Sequence, residues 1–280
     1  MARTPCPHSS RQKWNLANAR RAGSTKESEI SFVQLRVLCG LALVSILMSI
    51  SENVAAVRER LAAAARRAGR SSEVALMAVS KTQQPERVRE AYHAGLTLFG
   101  ENRVQEFAGK AAALADLRDV EWHMIGHLQT NKAGKAVELF GAVDSVDSLK
   151  LAKKLDATAH ALNKKLSVLI EINVDKEATK SDVIPGSREI EELLLAAPRL
   201  ESLEFRGLMT IPPFTQDPEG ARPFFCKLRE LRDAISARRL PGIGMDVLSM
   251  GMSHDFEIAI EEGSTCVRVG TAIFGERTRI

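Results

Sequence analysis

One lysine in this chain is placed for covalent chemistry. Val74-Ala75-Leu76-Met77-Ala78-Val79 is almost wholly apolar and leads directly into Ser80-Lys81. A lysine at the end of a buried strand is partly desolvated, which disfavours the ammonium and lowers its pKa. The neutral amine is the nucleophile that forms a Schiff base with an aldehyde. A single strand-end lysine more often just snorkels into a polar loop, so its surroundings decide. Gly251-Met252-Ser253 precedes a helical pattern at Asp255–Glu262, with Ser253 read as its N-cap, and Gly270-Thr271 repeats the arrangement in the next loop. Two adjacent loops offering backbone N–H groups and hydroxyls make a cradle for an anion, most commonly phosphate. Either loop alone is ordinary turn chemistry. Joined to an activated lysine, they call for a ligand with both a phosphate and an aldehyde: pyridoxal 5′-phosphate (PLP) or a sugar-phosphate carbonyl.

Positioning these groups requires a scaffold, and the hydropathy pattern supplies one. Short apolar runs at Val74–Ser80, Thr97–Gly100, Val120–Ile125, Ala142–Val146, Leu166–Val174, Glu204–Ile211, Met245–Met250 and Thr265–Val269 read as buried parallel strands. Helical patterns separate them: one closing before Gly95, then Val104–Leu117, Lys132–Phe140, Ser148–Leu162, Ser187–Ala196, Pro218–Arg238 and Ser253–Glu262. A leading helix, Glu52–Ala68, precedes the first strand. The expected fold is α/β, a single (β/α)8 TIM barrel with an extra N-terminal helix. An open doubly wound sheet would carry a glycine-rich loop after its first strand; Ser80-Lys81-Thr82-Gln83 has no glycine, and Gly242-Ile243-Gly244-Met245-Asp246-Val247 lacks the third. In a barrel, chemistry collects at the C-terminal strand ends. There stand Lys81, Asn102, His127, Asn173, Thr210, the segment Ser249–Ser253, and Arg268-Val269-Gly270-Thr271.

The net charge of +4 over 280 residues does not describe the barrel. Residues 1–36 hold seven basic and two acidic side chains, leaving 32 basic and 33 acidic residues beyond them. With charges of both signs interleaved along its helices, two Trp and one Tyr, the body is a poor nucleic-acid binder. The apolar run Val37–Met48 is shorter than the roughly 20 residues of a spanning helix. We read residues 1–47 as a doubtful or disordered N-terminal extension, with translation starting at Met48, and residues 48–280 as the binding domain. Cys6, Cys39, Cys226 and Cys266 form no C-x-x-C pair, and Cys266 reads as a buried free thiol. His123 and His127 have zinc-helix spacing but span a strand end, so they read as core or rim histidines; His254 reads as part of a helix start. No metal site is expected.

The motifs together are similar to those of the pyridoxal phosphate homeostasis protein family. They run Ala78-Val79-Ser80-Lys81-Thr82, Phe99-Gly100-Glu101-Asn102-Arg103-Val104-Gln105-Glu106, Trp122-His123-Met124-Ile125-Gly126-His127-Leu128-Gln129-Thr130-Asn131-Lys132, Gly207–Pro213, Leu248–Ser253 and Val267–Gly275, covering the chain from about Met48 onward. The resemblance implies the barrel of the alanine racemase N-terminal domain, holding PLP to buffer and deliver it without a reaction of its own. It implies Lys81 as the Schiff-base lysine, Ser253, Gly270 and Thr271 as phosphate ligands, Arg268 facing the pyridine nitrogen, Asn102 beside the ring, and Ser249 and Met252 lining the phosphate loop. An arginine facing that nitrogen disfavours its protonation and weakens the ring as an electron sink. The implied partners are PLP and transient recipient PLP enzymes, with no nucleic acid and no membrane, for a monomer in the cytoplasm. Two positions depart from the family pattern: Arg103 replaces a tyrosine, and Ser181-Asp182 replaces a glycine after Lys180. The alternatives are a PLP-dependent racemase and a Schiff-base aldolase. Against the racemase, the lone tyrosine, Tyr92, falls on an outer helix, and no second domain follows the eighth strand before Ile280.

Overall fold

Eight parallel strands close on themselves in sequence order, β1 pairing with β8 as well as with β2. This computed structural model describes residues 49–174 and 186–276. The expected extension at 1–47, with its apolar run and two cysteines, and the departure at 181–182 lie outside the described residues. The strands are β1 (Ala75–Val79), β2 (Leu98–Glu101), β3 (Glu121–Met124), β4 (Ala142–Val146), β5 (Leu166–Glu171), β6 (Leu203–Met209), β7 (Ile243–Met252) and β8 (Cys266–Val269). The helices are α1 (Ile50–Arg67), α2 (Pro85–His93), α3 (Val104–Ala111), α4 (Ala133–Leu139), α5 (Leu149–Ala161), α6 (Arg188–Ala196), α7 (Arg222–Ala237), α8 (Phe256–Glu261) and α9 (Thr271–Phe274). The eight expected strands and the leading helix are all present. Among the described residues, no helix is long and apolar enough to cross a membrane.

Strand periodicity sorts the core into an inside and an outside. On the outer face, Val267 and Val269 of β8 and Phe99 of β2 pack with Ile50, Val54 and Val57 of α1. Met77 and Val79 of β1 point the other way, into a separate cluster with Ile125 and Cys266. Gly100 keeps this interior open: a Cβ there would come within 2.7 Å of the Met77 sulfur and 2.8 Å of Ile125 Cδ1. Around α3, Trp122 lies 4.5 Å from Phe107 and 5.1 Å from Phe99, ring to ring. The first helix begins at a capping box, the Ser49 hydroxyl accepting from the Glu52 N–H while the Glu52 carboxylate accepts from the Ser49 N–H. Asn53 on this helix donates to the Ile273 carbonyl of α9 at 2.9 Å. Arg60 and Arg67 pair with Glu257 and Glu261 of α8.

Several element boundaries differ from the sequence reading: β7 runs Ile243–Met252 rather than Met245–Met250, and α3 ends at Ala111 rather than Leu117. The fifth strand stops at Glu171 rather than Val174. The helix expected to start at Ser253 starts at Phe256, because the Asp255 carboxylate accepts the Met252 N–H at 2.6 Å and closes a turn first. The one-turn helix α9 was too short to leave a periodic signal.

The barrel also holds a partly buried polar pair. His123 Nδ1 lies 3.0 Å from Asp144, and Asp144 is buried. Burial alone would push the imidazole down, but the Asp144 carboxylate, with help from Glu121, outweighs it and raises the His123 pKa. A raised folded-state pKa gives stability that is complete below the unfolded value and lost as pH rises through the folded one. The stability difference between wild type and His123→Gln should therefore be largest below about pH 6.5, the ordinary histidine value, and shrink at higher pH. Urea unfolding across pH measures it; a difference that is flat or grows with pH would contradict the pairing.

Candidate cofactor-binding site

A cavity of about 260 Å³ opens at the C-terminal ends of the strands. Seven of the eight expected site residues line it: Lys81, Asn102, Met252, Ser253, Arg268, Gly270 and Thr271. Its apolar walls come from Val79, Ile125, Ile211 and Phe274. The eighth residue, Ser249, is fully buried and does not reach the cavity; its hydroxyl accepts from Arg268 Nη1 at 2.7 Å. Ser249 is thus a support for the arginine rather than part of the phosphate loop. The reason is depth along the strand: Ser249 lies three residues before the end of β7 and pairs with Cys266, below the level of Arg268.

Arg268 is the polar anchor of the cavity. Only 3% of it is exposed, and its other terminal nitrogen donates to the Thr210 carbonyl at 2.7 Å. Burial lowers its pKa, and Cys266, Asp144, Glu171 and Asp255 act against that decrease. The neighbouring Cys266 thiol is pushed up to about 12, chiefly by burial, and is therefore a neutral core group.

The two loops expected to hold an anion meet in a way that the sequence reading did not anticipate. Ser253 is not the N-cap of α8. Its Oγ instead accepts the backbone N–H groups of Gly270, at 3.2 Å, and Ala272, at 3.3 Å. Two amides of the β8–α9 turn thus converge on the serine hydroxyl oxygen, and a turn that aims several N–H groups at one oxygen suits an anion. Gly251 makes the approach possible: it sits at φ +92°, and a Cβ there would lie 2.5 Å from that of Ala259.

On the neighbouring strand end, since β1 pairs with β8, Lys81 is half-buried on a clamped turn. Thr82, next to it, has φ +62°, a left-handed conformation that costs a β-branched residue about 1–3 kcal/mol. What holds it is a polar cluster. The Thr82 N–H donates to the Glu106 carboxylate. Lys110 of α3, buried, donates to the Ser80 carbonyl at 2.8 Å and the Gln83 carbonyl at 3.4 Å, and pairs with buried Glu101 at 2.7 Å. The Ser80 hydroxyl also donates to Glu101, whose Oε2 has no hydrogen-bond partner. Burial raises the Glu101 pKa despite Lys110 and Ser80.

Sequence reasoning missed two groups here. Lys110 sits in a helix among charges of both signs and reads as solvated face; only its spacing from the apolar Val104 and Phe107 could have marked it. His254 lines the cavity, its ring 5.3 Å from that of Phe214 and its Nε2 3.1 Å from the Thr215 carbonyl. Tyr92 lies on α2 against His93, outside the cavity lining. His123 and His127 each face a separate carboxylate, Asp144 and Asp147. Arg103 lies beside the cavity, not on its wall.

Barrel, strand-end lysine and anion cradle define a class of PLP-binding barrel, and comparison with known proteins agrees. The family model described as alanine racemase, N-terminal domain, matches residues 53–278. The pyridoxal phosphate homeostasis protein of Aquifex aeolicus is 48% identical over 232 residues, 82% of this chain and 99% of that protein. Its counterpart in Escherichia coli K12 is 42% identical over 231 residues, 81% and 97%. Synechococcus elongatus PipY, solved with PLP bound, is 37% identical with a TM-score of 0.72, over 81% of this chain and all of that one. The alanine racemase of Streptomyces coelicolor, at 23% identity and TM-score 0.61 over 80% of this chain and 58% of its own, shares the fold. The chain belongs to the pyridoxal phosphate homeostasis protein family.

The lysine clamp can be tested by stability. Lys110→Met leaves Glu101 buried without its counter-charge and should cost about 3–5 kcal/mol, measured by urea unfolding. Adding Glu101→Gln should recover much of that loss. A cost below about 1 kcal/mol, the range of an exposed pair, would contradict the buried role.

Proposed function

We propose that this protein holds PLP through a Schiff base on Lys81, buffering and delivering the cofactor without a reaction of its own. The observation that carries this reading is the set of groups lining one cavity: a lysine on a clamped turn, Ser253 with the β8–α9 turn whose amides converge on it, and a buried arginine. The donor set fits the cofactor. Ser253, Thr271 and the backbone of Gly270 would take the phosphate, with Met252 beside them. Arg268 would face the ring nitrogen and Asn102 the ring edge, between apolar walls. The cofactor supplies a reactive aldehyde and an electron-withdrawing ring; the protein's contribution is to hold both, and Arg268, a cation fixed by two acceptors, keeps a proton off the ring nitrogen.

A carrier is favoured over a racemase by the acid–base groups around the cavity. Two-base racemisation needs a proton donor on each face of the ring. Tyr92 is on the outer layer, and the one histidine of the lining is bonded to the Thr215 carbonyl. We assign the holding function to residues 48–280, supported by the family match from residue 53, and treat residues 1–47 as an extension outside it. The near-neutral barrel fits a cytoplasmic monomer that passes the cofactor to recipient PLP enzymes.

Borohydride reduction followed by intact mass measurement tests this directly. The expected result is one added mass equal to reduced PLP, absent in Lys81→Ala, together with a visible absorption band that the variant lacks. A sugar-phosphate mass would identify an aldolase, and Lys81-dependent amino-acid racemisation would make the protein an enzyme.

A further inference from the structure

Lys81 is the second residue of a tight turn. The Gln83 N–H donates to the Ser80 carbonyl at 3.1 Å, and Thr82, in the third position, has φ +62°. This is the pattern of a type II turn, whose third position ordinarily takes glycine or asparagine. Threonine fits it poorly, because a β-branched side chain crowds a left-handed backbone. Rotation about this φ swings the peptide plane that joins Thr82 to Lys81. The strained angle therefore helps to place Lys81 and Gln83, both of which line the cofactor cavity.

The groups that hold the turn come from one stretch of chain. In the motif Phe99–Glu106, Glu101 accepts the Ser80 hydroxyl and Glu106 accepts the Thr82 N–H. Lys110, one helical turn after Glu106 and 3.8 Å from it, holds the Ser80 carbonyl at the start of the turn. Glu101 and Lys110 are buried, and each needs the other as a counter-charge. Glu106 differs: its side chain is 29% exposed, so burial does not oblige it to find a partner, and the amide it holds belongs to the strained residue itself.

We propose that Glu106 is the positioning residue for Lys81. By anchoring the Thr82 N–H it keeps the turn in the left-handed form that presents the lysine amine to the cavity. Glu106 does not line the cavity, so it acts through the backbone rather than on the ligand. The role rests on the cofactor reading above and adds to it a residue that sets how well Lys81 meets the aldehyde.

Two ligands separate this role from a general weakening of the fold. PLP engages Lys81, whereas pyridoxine 5′-phosphate has the same ring and phosphate with an alcohol in place of the aldehyde. Both are titrated calorimetrically into the full chain stripped of cofactor. Glu106→Ala should weaken PLP about tenfold, the effect of freeing one strained residue, and leave pyridoxine 5′-phosphate unchanged. Glu106→Gln keeps an oxygen acceptor of the same reach and should restore most of the loss. Thr82→Gly removes the strain, so adding Glu106→Ala to it should cost less than about twofold. Normal PLP binding by Glu106→Ala, equal loss of both ligands, or the full loss on the Thr82→Gly background would each overturn the proposal. Borohydride trapping of wild type keeps the two readings apart. With an adduct on Lys81, any of those outcomes sinks the positioning role alone; without one, the cofactor reading falls and the role falls with it.

Discussion

A guanidinium buried inside the barrel is the constraint around which the functional end of this protein is built. A buried charge is costly unless its hydrogen-bonding groups find acceptors. Arg268 finds them in the Ser249 hydroxyl of β7 and the Thr210 carbonyl beyond β6. Thr210 in turn donates its hydroxyl to the Ile172 carbonyl at 2.7 Å and its N–H to the Ser249 carbonyl at 3.2 Å. The ends of four consecutive strands, β5 to β8, are therefore tied to one cation. Ser253 and the β8–α9 turn hang from the last two of them, so the two amides that converge on Ser253 inherit their position from the same network.

The other half of the mouth is organised by a second buried cation. Lys110 plays towards β1 and β2 the part that Arg268 plays towards β5–β8, holding Ser80, Gln83 and Glu101 so that the Lys81 turn survives an unfavourable Thr82 backbone. Cradle and lysine are thus fixed before any ligand arrives. Such preorganisation suits retention of a cofactor, because little ordering is left to oppose binding.

The fold was legible because parallel strands buried on both faces are written as apolar runs, and all eight appear where those runs fall. Lys81, Gly270 and Thr271 were legible because they end such runs. Supporting residues were not. Ser249 follows Leu248 in a strand and looks like any other loop-proximal serine; only the three-dimensional position of Arg268 reveals its role. Ser253 resembles an N-cap by type and spacing, yet Asp255 takes over the turn and frees the serine to meet the amides of the next loop. Lys110 was hidden because local sequence cannot say that a helix's charged position turns inward. Each miss is a contact between distant segments, which periodicity and capping rules do not encode.

Holding PLP without using it requires a ring that does not draw electrons strongly, and in the function proposed above Arg268 would be the residue that sets this. The most direct measurement is the ¹⁵N chemical shift of the pyridine nitrogen in labelled PLP bound to the full chain at neutral pH. The expected result is the shift of an unprotonated nitrogen. A pyridinium shift would contradict the role given to Arg268 and, with it, the reading of the site as a cofactor store.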